Sequence, residues 1–118
     1  MSTRAQVRFA TREEGVSFNE HPDKIHAQFY VHSDGYPEGL GLDIAMSYAD
    51  QEILSGWELE HVLRIHGDLD YIYYIWSDYE KDTWISIFET KPFEDQDGKC
   101  IFVGKPNQLI AKYDKKRD

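Results

Sequence analysis

Between Ile25 and Tyr48 the hydrophobic period changes from two residues to nearly four, and the change falls inside one short, turn-rich run. Ile25, Ala27, Phe29 and Val31 alternate with His26, Gln28, Tyr30 and His32, which is the pattern of a half-buried strand. Leu40, Ile44, Ala45 and Tyr48 then recur at helical spacing and form one apolar stripe. The residues from Tyr30 to Gly39 carry the turn chemistry that joins the two. Asp34-Gly35 is a tight-turn pair, with Gly35 the expected bearer of a positive φ. Pro37 and Glu38 suit a first helical turn, where a missing N–H costs nothing and a carboxylate meets the positive end of the dipole. Gly39 and Gly41 weaken that turn and mark close approach of the helix to a sheet. A chain with this joint must lay a helix beside a strand.

The remaining segments extend the sheet. Val7 and Phe9 alternate with Gln6 and Arg8, so Ala5–Thr11 reads as the first strand, and Val16–Phe18 as a short strand or extended edge. The second runs from about Ile25 to His32. In Trp57–Ile65 the alternation outweighs the helix-forming Glu and Leu, and Gly67-Asp68 reads as a hairpin turn into Asp70–Trp76. A polar turn from Ser77 to Asp82 leads to Thr83–Glu89, so Trp57–Glu89 is expected to be a three-stranded antiparallel meander. Lys91–Gly98 reads as a surface loop, Cys100–Val103 as a sixth strand, and Pro106–Tyr113 as a last short helix with cations near its C-terminal end. The expected fold is α+β: one domain over residues 1–118, a mostly antiparallel sheet of five or six strands, and two helices packed on one face.

Composition bounds the function classes. A chain of 118 residues suits one domain that buries roughly two-thirds of its unfolded surface. Its formal net charge of −9 argues against nucleic-acid or anionic-membrane binding, because Lys and Arg drive contact with phosphate. The charge serves solubility, or a partner whose own surface is basic. A single cysteine, Cys100, excludes an intramolecular disulfide and reads as a small buried hydrophobe. With no charged-then-apolar leader and no apolar run of about 20 residues, the expectation is a soluble cytoplasmic protein without membrane contact.

Three groups of residues are candidates for contact. The polar face of the second strand and the following turn gather His26, Tyr30, His32, Asp34 and Tyr36, so imidazole, phenol and carboxylate lie together. The spacing is neither HExxH nor that of a structural metal site, and no metal or cofactor is expected. The second group is aromatic. Both faces of the Tyr71–Trp76 and Thr83–Glu89 strands are apolar or aromatic, and two helices cover only one. Tyr73 and Trp84 are therefore expected either in an aromatic-rich core or at an interface, most simply a two-fold homodimer. The third is acidic: Asp78, Glu80 and Asp82 in one turn, with Glu94, Asp95 and Asp97 in the next loop, spaced to imitate DNA phosphates or simply solvated. The serines lack a GxSxG context, and Gly39-Leu-Gly41 is neither a GxGxxG nor a P-loop, so nucleophilic catalysis and phosphate cradling have no support.

The opening Met1–Ala5, the HxDGYPxG turn of residues 32–39 and the closing Gly104–Tyr113 together resemble a group of small phage and prophage proteins of unknown function. The resemblance implies a mobile-element origin, a setting in which small acidic proteins block host machinery, anti-CRISPR proteins included. The expected function is therefore that of a non-enzymatic binding protein acting by protein–protein contact, on a partner with a basic nucleic-acid-binding cleft. The alternative is a small-molecule-binding domain or weak enzyme centred on His32, Asp34 and Tyr36.

Overall fold

The computed structural model describes residues 3–12, 20–22, 24–47, 57–78, 80 and 82–114. The expected Val16–Phe18 edge, the helix end near Tyr48 and the cations after Asp114 lie outside the described residues. Strands β1 (Ala5–Thr11) and β2 (Lys24–Val31) follow the alternation closely. A π-type turn over Pro37–Gly41 then runs into helix α1 (Leu42–Ser47). Strand β3 is Trp57–Glu60, β4 is Tyr71–Ser77, β5 is Thr83–Lys91, β6 is Asp95–Gly104, and helix α2 is Pro106–Tyr113. The six strands form one sheet in the order β3-β2-β1-β4-β5-β6. All neighbours are antiparallel except β1 and β4, which run parallel with Ala5 beside Tyr71 and Thr11 beside Ser77. The architecture is α+β, as the period-2 runs imply.

The expected meander from Trp57 to Glu89 does not form. β3 ends at Glu60 and pairs with β2 at the far edge of the sheet, while β4 lies against β1. Residues 61–70 form no hairpin: His61 accepts hydrogen bonds from Leu63 N through its ring and from Arg64 N through its carbonyl, which turns the chain out of the sheet. The meander lies one strand later, over β4, β5 and β6. The acidic stretch after Lys91 is correspondingly no loop but a tight hairpin. Phe93 takes the left-handed conformation at φ 62°, and β6 begins at Asp95.

Both helices pack on one face. Leu40, Ile44 and Ala45 of the first helical segment and Leu109 of α2 close over Ala5, Val7, Phe29, Val31, Tyr73, Ile75, Ile85 and Ile87. The turn after β2 departs from expectation in one detail. The left-handed residue is Asp34, at φ 58°, whose side chain tolerates that region. Gly35 is required for a different reason: a Cβ there would stand 2.8 Å from the Ala5 Cβ and 3.0 Å from the Thr3 carbonyl oxygen. Its N–H donates to Thr3 O at 3.0 Å, and its carbonyl accepts from the Tyr73 hydroxyl at 2.6 Å.

Of the two placements open to the aromatic residues of the opposite face, core or interface, the chain shows a second core. Ile72, Tyr74, Trp76 and Phe88 are buried there beside Tyr30 and Leu69. His66 and Leu69 of the loop after β3, together with His21, lie against it. The surface that motivated self-association is filled by the chain's own loops. Among the described residues no helix is long and apolar enough to cross a membrane.

Candidate functional site

The polar face of β2 points into this second layer, and each of its residues is engaged within the chain. His26 shares a hydrogen bond with Thr11 at 2.6 Å. Gln28 is fully buried, and its amide reaches Glu60 Oε1 at 2.8 Å and the Arg64 carbonyl at 3.0 Å. Gln6, beside it on β1 and also fully buried, donates to the same Glu60 oxygen at 2.9 Å. The other Glu60 oxygen accepts from His66 Nε2 at 2.7 Å, and the His66 ring stacks on Tyr30 with centroids 4.1 Å apart. One carboxylate thus clasps two strands to the loop that crosses them. Glu60, His66 and Gln6 were not singled out from the sequence. The only signal was a glutamine at alternate positions of two strands whose other residues explain its burial poorly.

A second clasp lies nearby. Arg8 Nη1 donates to the Tyr74 hydroxyl at 2.6 Å, and that hydroxyl stands 2.7 Å from His21 Nδ1. His21 Nε2 lies 2.8 Å from the Asp97 carbonyl, and its ring stacks on Phe88 at 3.8 Å. Burial first, and then the Arg8 guanidinium, push the His21 imidazole below its ordinary range against the opposing pull of the Asp97 carbonyl. A neutral ring fits the geometry, with Nε2–H donating to Asp97 O and Nδ1 accepting from Tyr74.

The sequence-expected contact residues separate. His32 is exposed and donates to Glu58 at 2.9 Å with its ring edge against Tyr30. Asp34 is exposed in the turn, and its carbonyl accepts from Leu40 N at 3.0 Å. Tyr36 lines a cleft with Asp70, Tyr71 and Glu89, so His32 and Tyr36 occupy different neighbourhoods rather than one site. Tyr73 is fully buried beneath the helices, and Tyr30 is buried under His66. Trp84 is half-buried, stacked on Trp76 at 5.5 Å, and donates to Asp78 at 2.7 Å. That hydrogen bond is the main reason the Asp78 carboxyl sits below its usual range.

The two acidic groups do not make one patch. Asp78, Glu80 and Asp82 belong to the β4–β5 turn, whereas Glu94 and Asp95 belong to the β5–β6 hairpin at the other end of the sheet. The nine residues of β5 separate them by roughly 27 Å. Asp82 is further occupied by Lys105 at 3.3 Å, and Asp95 accepts from Gly98 N at 3.0 Å. Asp97 turns back toward His21. Among the described residues no group of three or more His, Cys, Asp or Glu is placed to hold a metal ion.

What the edge of the sheet does expose is aliphatic. Leu59 of β3 is 74% exposed, and Leu63 and Ile65 of the following loop are 77% and 83% exposed. The backbone that carries them is tied down by the Glu60 clasp, so these side chains stand on a fixed support. No protein-family model, curated protein or solved structure matches this chain.

Proposed function

We propose that this chain is a non-enzymatic binding protein whose contact surface is the β3 edge and the loop that leaves it, of the kind a phage-encoded inhibitor of host machinery presents. The observation that carries the proposal is the exposure of Leu59, Leu63 and Ile65 on a stretch tied by hydrogen bonds to the fully buried Gln28. Isolated exposed aliphatics are ordinary, but three on one short anchored stretch offer a partner apolar contact along and around the β3 edge. Covering each contributes on the order of 1.5–3 kcal/mol of transfer free energy. β3 is also an edge strand, open to strand addition by a partner. The net charge of −9 favours a partner with a basic surface and speeds its approach.

The test is affinity capture from a bacterial lysate with the wild-type chain and with a Leu63→Asp, Ile65→Asp double variant. Both positions are exposed, so circular dichroism is expected to be unchanged. The wild type is expected to retain a basic protein that the variant loses. Retention of the same partners by both, or of none by either, would sink the proposal.

A further inference from the structure

The helix-bearing face ends in a cleft that neither the Glu60 clasp nor the β3 edge uses. It holds about 330 Å³ and is lined chiefly by Tyr36, Asp70, Tyr71, Glu89 and Lys91. Strand register explains the grouping. Tyr71 opens β4, Glu89 is its direct cross-strand neighbour on β5, and Tyr36 stands just before Pro37 where the chain enters the helix. Tyr73, two residues on, spends its hydroxyl on Gly35 O, whereas the Tyr36 and Tyr71 hydroxyls have no partner among the described residues. One Asp70 oxygen accepts from Arg4 N at 2.9 Å. Glu89 faces Lys99 across β6 but has no ion-pair partner among the described residues.

We propose that this cleft binds an organic cation, an alkylammonium or guanidinium group seated against the Tyr36 and Tyr71 rings with Asp70 and Glu89 as its counter-charges. Phenol faces attract a cation through their quadrupole, and they also pack against its alkyl stem. A bare metal ion would need six or more oxygen ligands and gains nothing from the rings. The surrounding field has the right sign. Burial first, and then Glu89, Glu38 and Asp70, push the Tyr71 phenol above its ordinary range. Tyr113 is raised in the same way, by burial and then by Glu38, Tyr71 and Glu89. Negative potential that disfavours a phenolate favours a cation. Lys91 offsets one of the two carboxylates, so the expected affinity is modest, with Kd on the order of 1 mM.

The experiment is a chemical-shift titration of the full chain with n-butylammonium and with acetyl-arginine amide, using acetyl-norleucine amide as the uncharged counterpart. The two cations are expected to saturate and the neutral probe to leave the cleft resonances unmoved. Glu89→Gln and Tyr36→Leu, both at exposed positions, are each expected to weaken binding about fivefold, the size of one screened charge or one cation–π contact. Glu80→Gln removes the same charge at the opposite end of the sheet and should change nothing. Equal binding of the neutral probe, indifference to Glu89→Gln and Tyr36→Leu, or an equal loss in Glu80→Gln would each overturn the proposal. A blocked pentapeptide with a central arginine separates the sources. Binding as tight as the free probes marks a site for a protein's basic side chain, and exclusion of the peptide marks one for a free amine. The Leu63→Asp, Ile65→Asp variant should bind the cations normally, so this result stands apart from the fate of the β3 surface.

Discussion

The two faces of the sheet are equally dry and are held shut in different ways. On the helix-bearing face the fully buried side chains include Ala5, Val7, Tyr73, Ile85 and Ile87, closed over by apolar residues of α1 and α2. On the other face Gln6, Gln28 and Ser86 are just as inaccessible, among Tyr74, Trp76 and Phe88. Helices satisfy their own backbone and bring only side chains to a sheet, so burial and dispersion suffice on the first face. Loops arrive with carbonyls that no strand or helix pairs, such as that of Arg64, which must find donors when water leaves. The buried glutamines supply them. A loop-covered face therefore needs polar residues inside it, and its stability rests on a few directed bonds rather than on area.

The sharpest way to break that contrast is to remove the clasp. Glu60→Ala leaves Gln6, Gln28 and His66 without their common acceptor. Its expected cost is about 3–5 kcal/mol, the range for stripping one member from a buried charged network. Ile87→Val on the helix-bearing face, which deletes one methylene from a non-directional core, should cost only about 0.5–1.5 kcal/mol. Urea unfolding midpoints compare the two. If Glu60→Ala proves the milder change, the second face is not held by directed bonds.

A smaller effect is expected where the helix-bearing face meets its entry turn. Gly35→Val drives a side chain into Ala5 and the Thr3 backbone, which are the start of the central strand and cannot withdraw freely. Overpacking of this kind costs about 1–3 kcal/mol. The expected result is a lowered Tm with Tyr73 still buried. A silent substitution would mean that the segment before Ala5 moves aside, and that this face tolerates shape changes which the clasped face should not.

The contrast also marks what could be read from the sequence. β1, β2, β4 and β5 were legible to within two residues because each alternates cleanly against a buried core, and α2 because Pro106 and Leu109 fix its start and its buried side. The fold class followed from these. Pairing was less legible: parallel β1 and β4 are joined through β2, α1 and β3, and local periodicity says nothing about so distant a neighbour. The alternation from Trp57 continues to Ile65, but it outruns the strand. Beyond Glu60 the apolar members Leu63 and Ile65 face solvent, and the chain turns instead to deliver carbonyls to the glutamines. Glu60 was invisible for a related reason, since a glutamate in an alternating strand reads as a solvated position. Of the candidate contact residues, the exposure of Tyr36 was legible from its place in a polar turn. Tyr73 was not, because nothing local to it reveals that its hydroxyl seals the turn at Gly35.

The smallest expected effect concerns the second clasp and is read through pH. His21 sits on Phe88 between the Tyr74 hydroxyl and the Asp97 carbonyl, and burial lowers its pKa from the ordinary value of 6.5. The folded state therefore resists protonation that the unfolded chain accepts. As pH falls through about 6.5 the unfolded state binds the proton first, so stability present above that value is lost progressively toward the folded pKa. Protonation would also take away the Nδ1 lone pair that accepts from Tyr74 and place a second cation beside Arg8. His21→Gln keeps an amide N–H for the Asp97 carbonyl but cannot titrate. Between about pH 7.5 and 5 the wild-type Tm is expected to fall more steeply than that of the variant, with the curves converging toward the acid end. The helix-bearing face places no histidine in its core, so the difference should disappear from the amide exchange of α2 and persist in that of the strands under His21. Parallel pH profiles for the two proteins would show that His21 contributes packing alone, and the second face would then owe its hold to the Glu60 clasp.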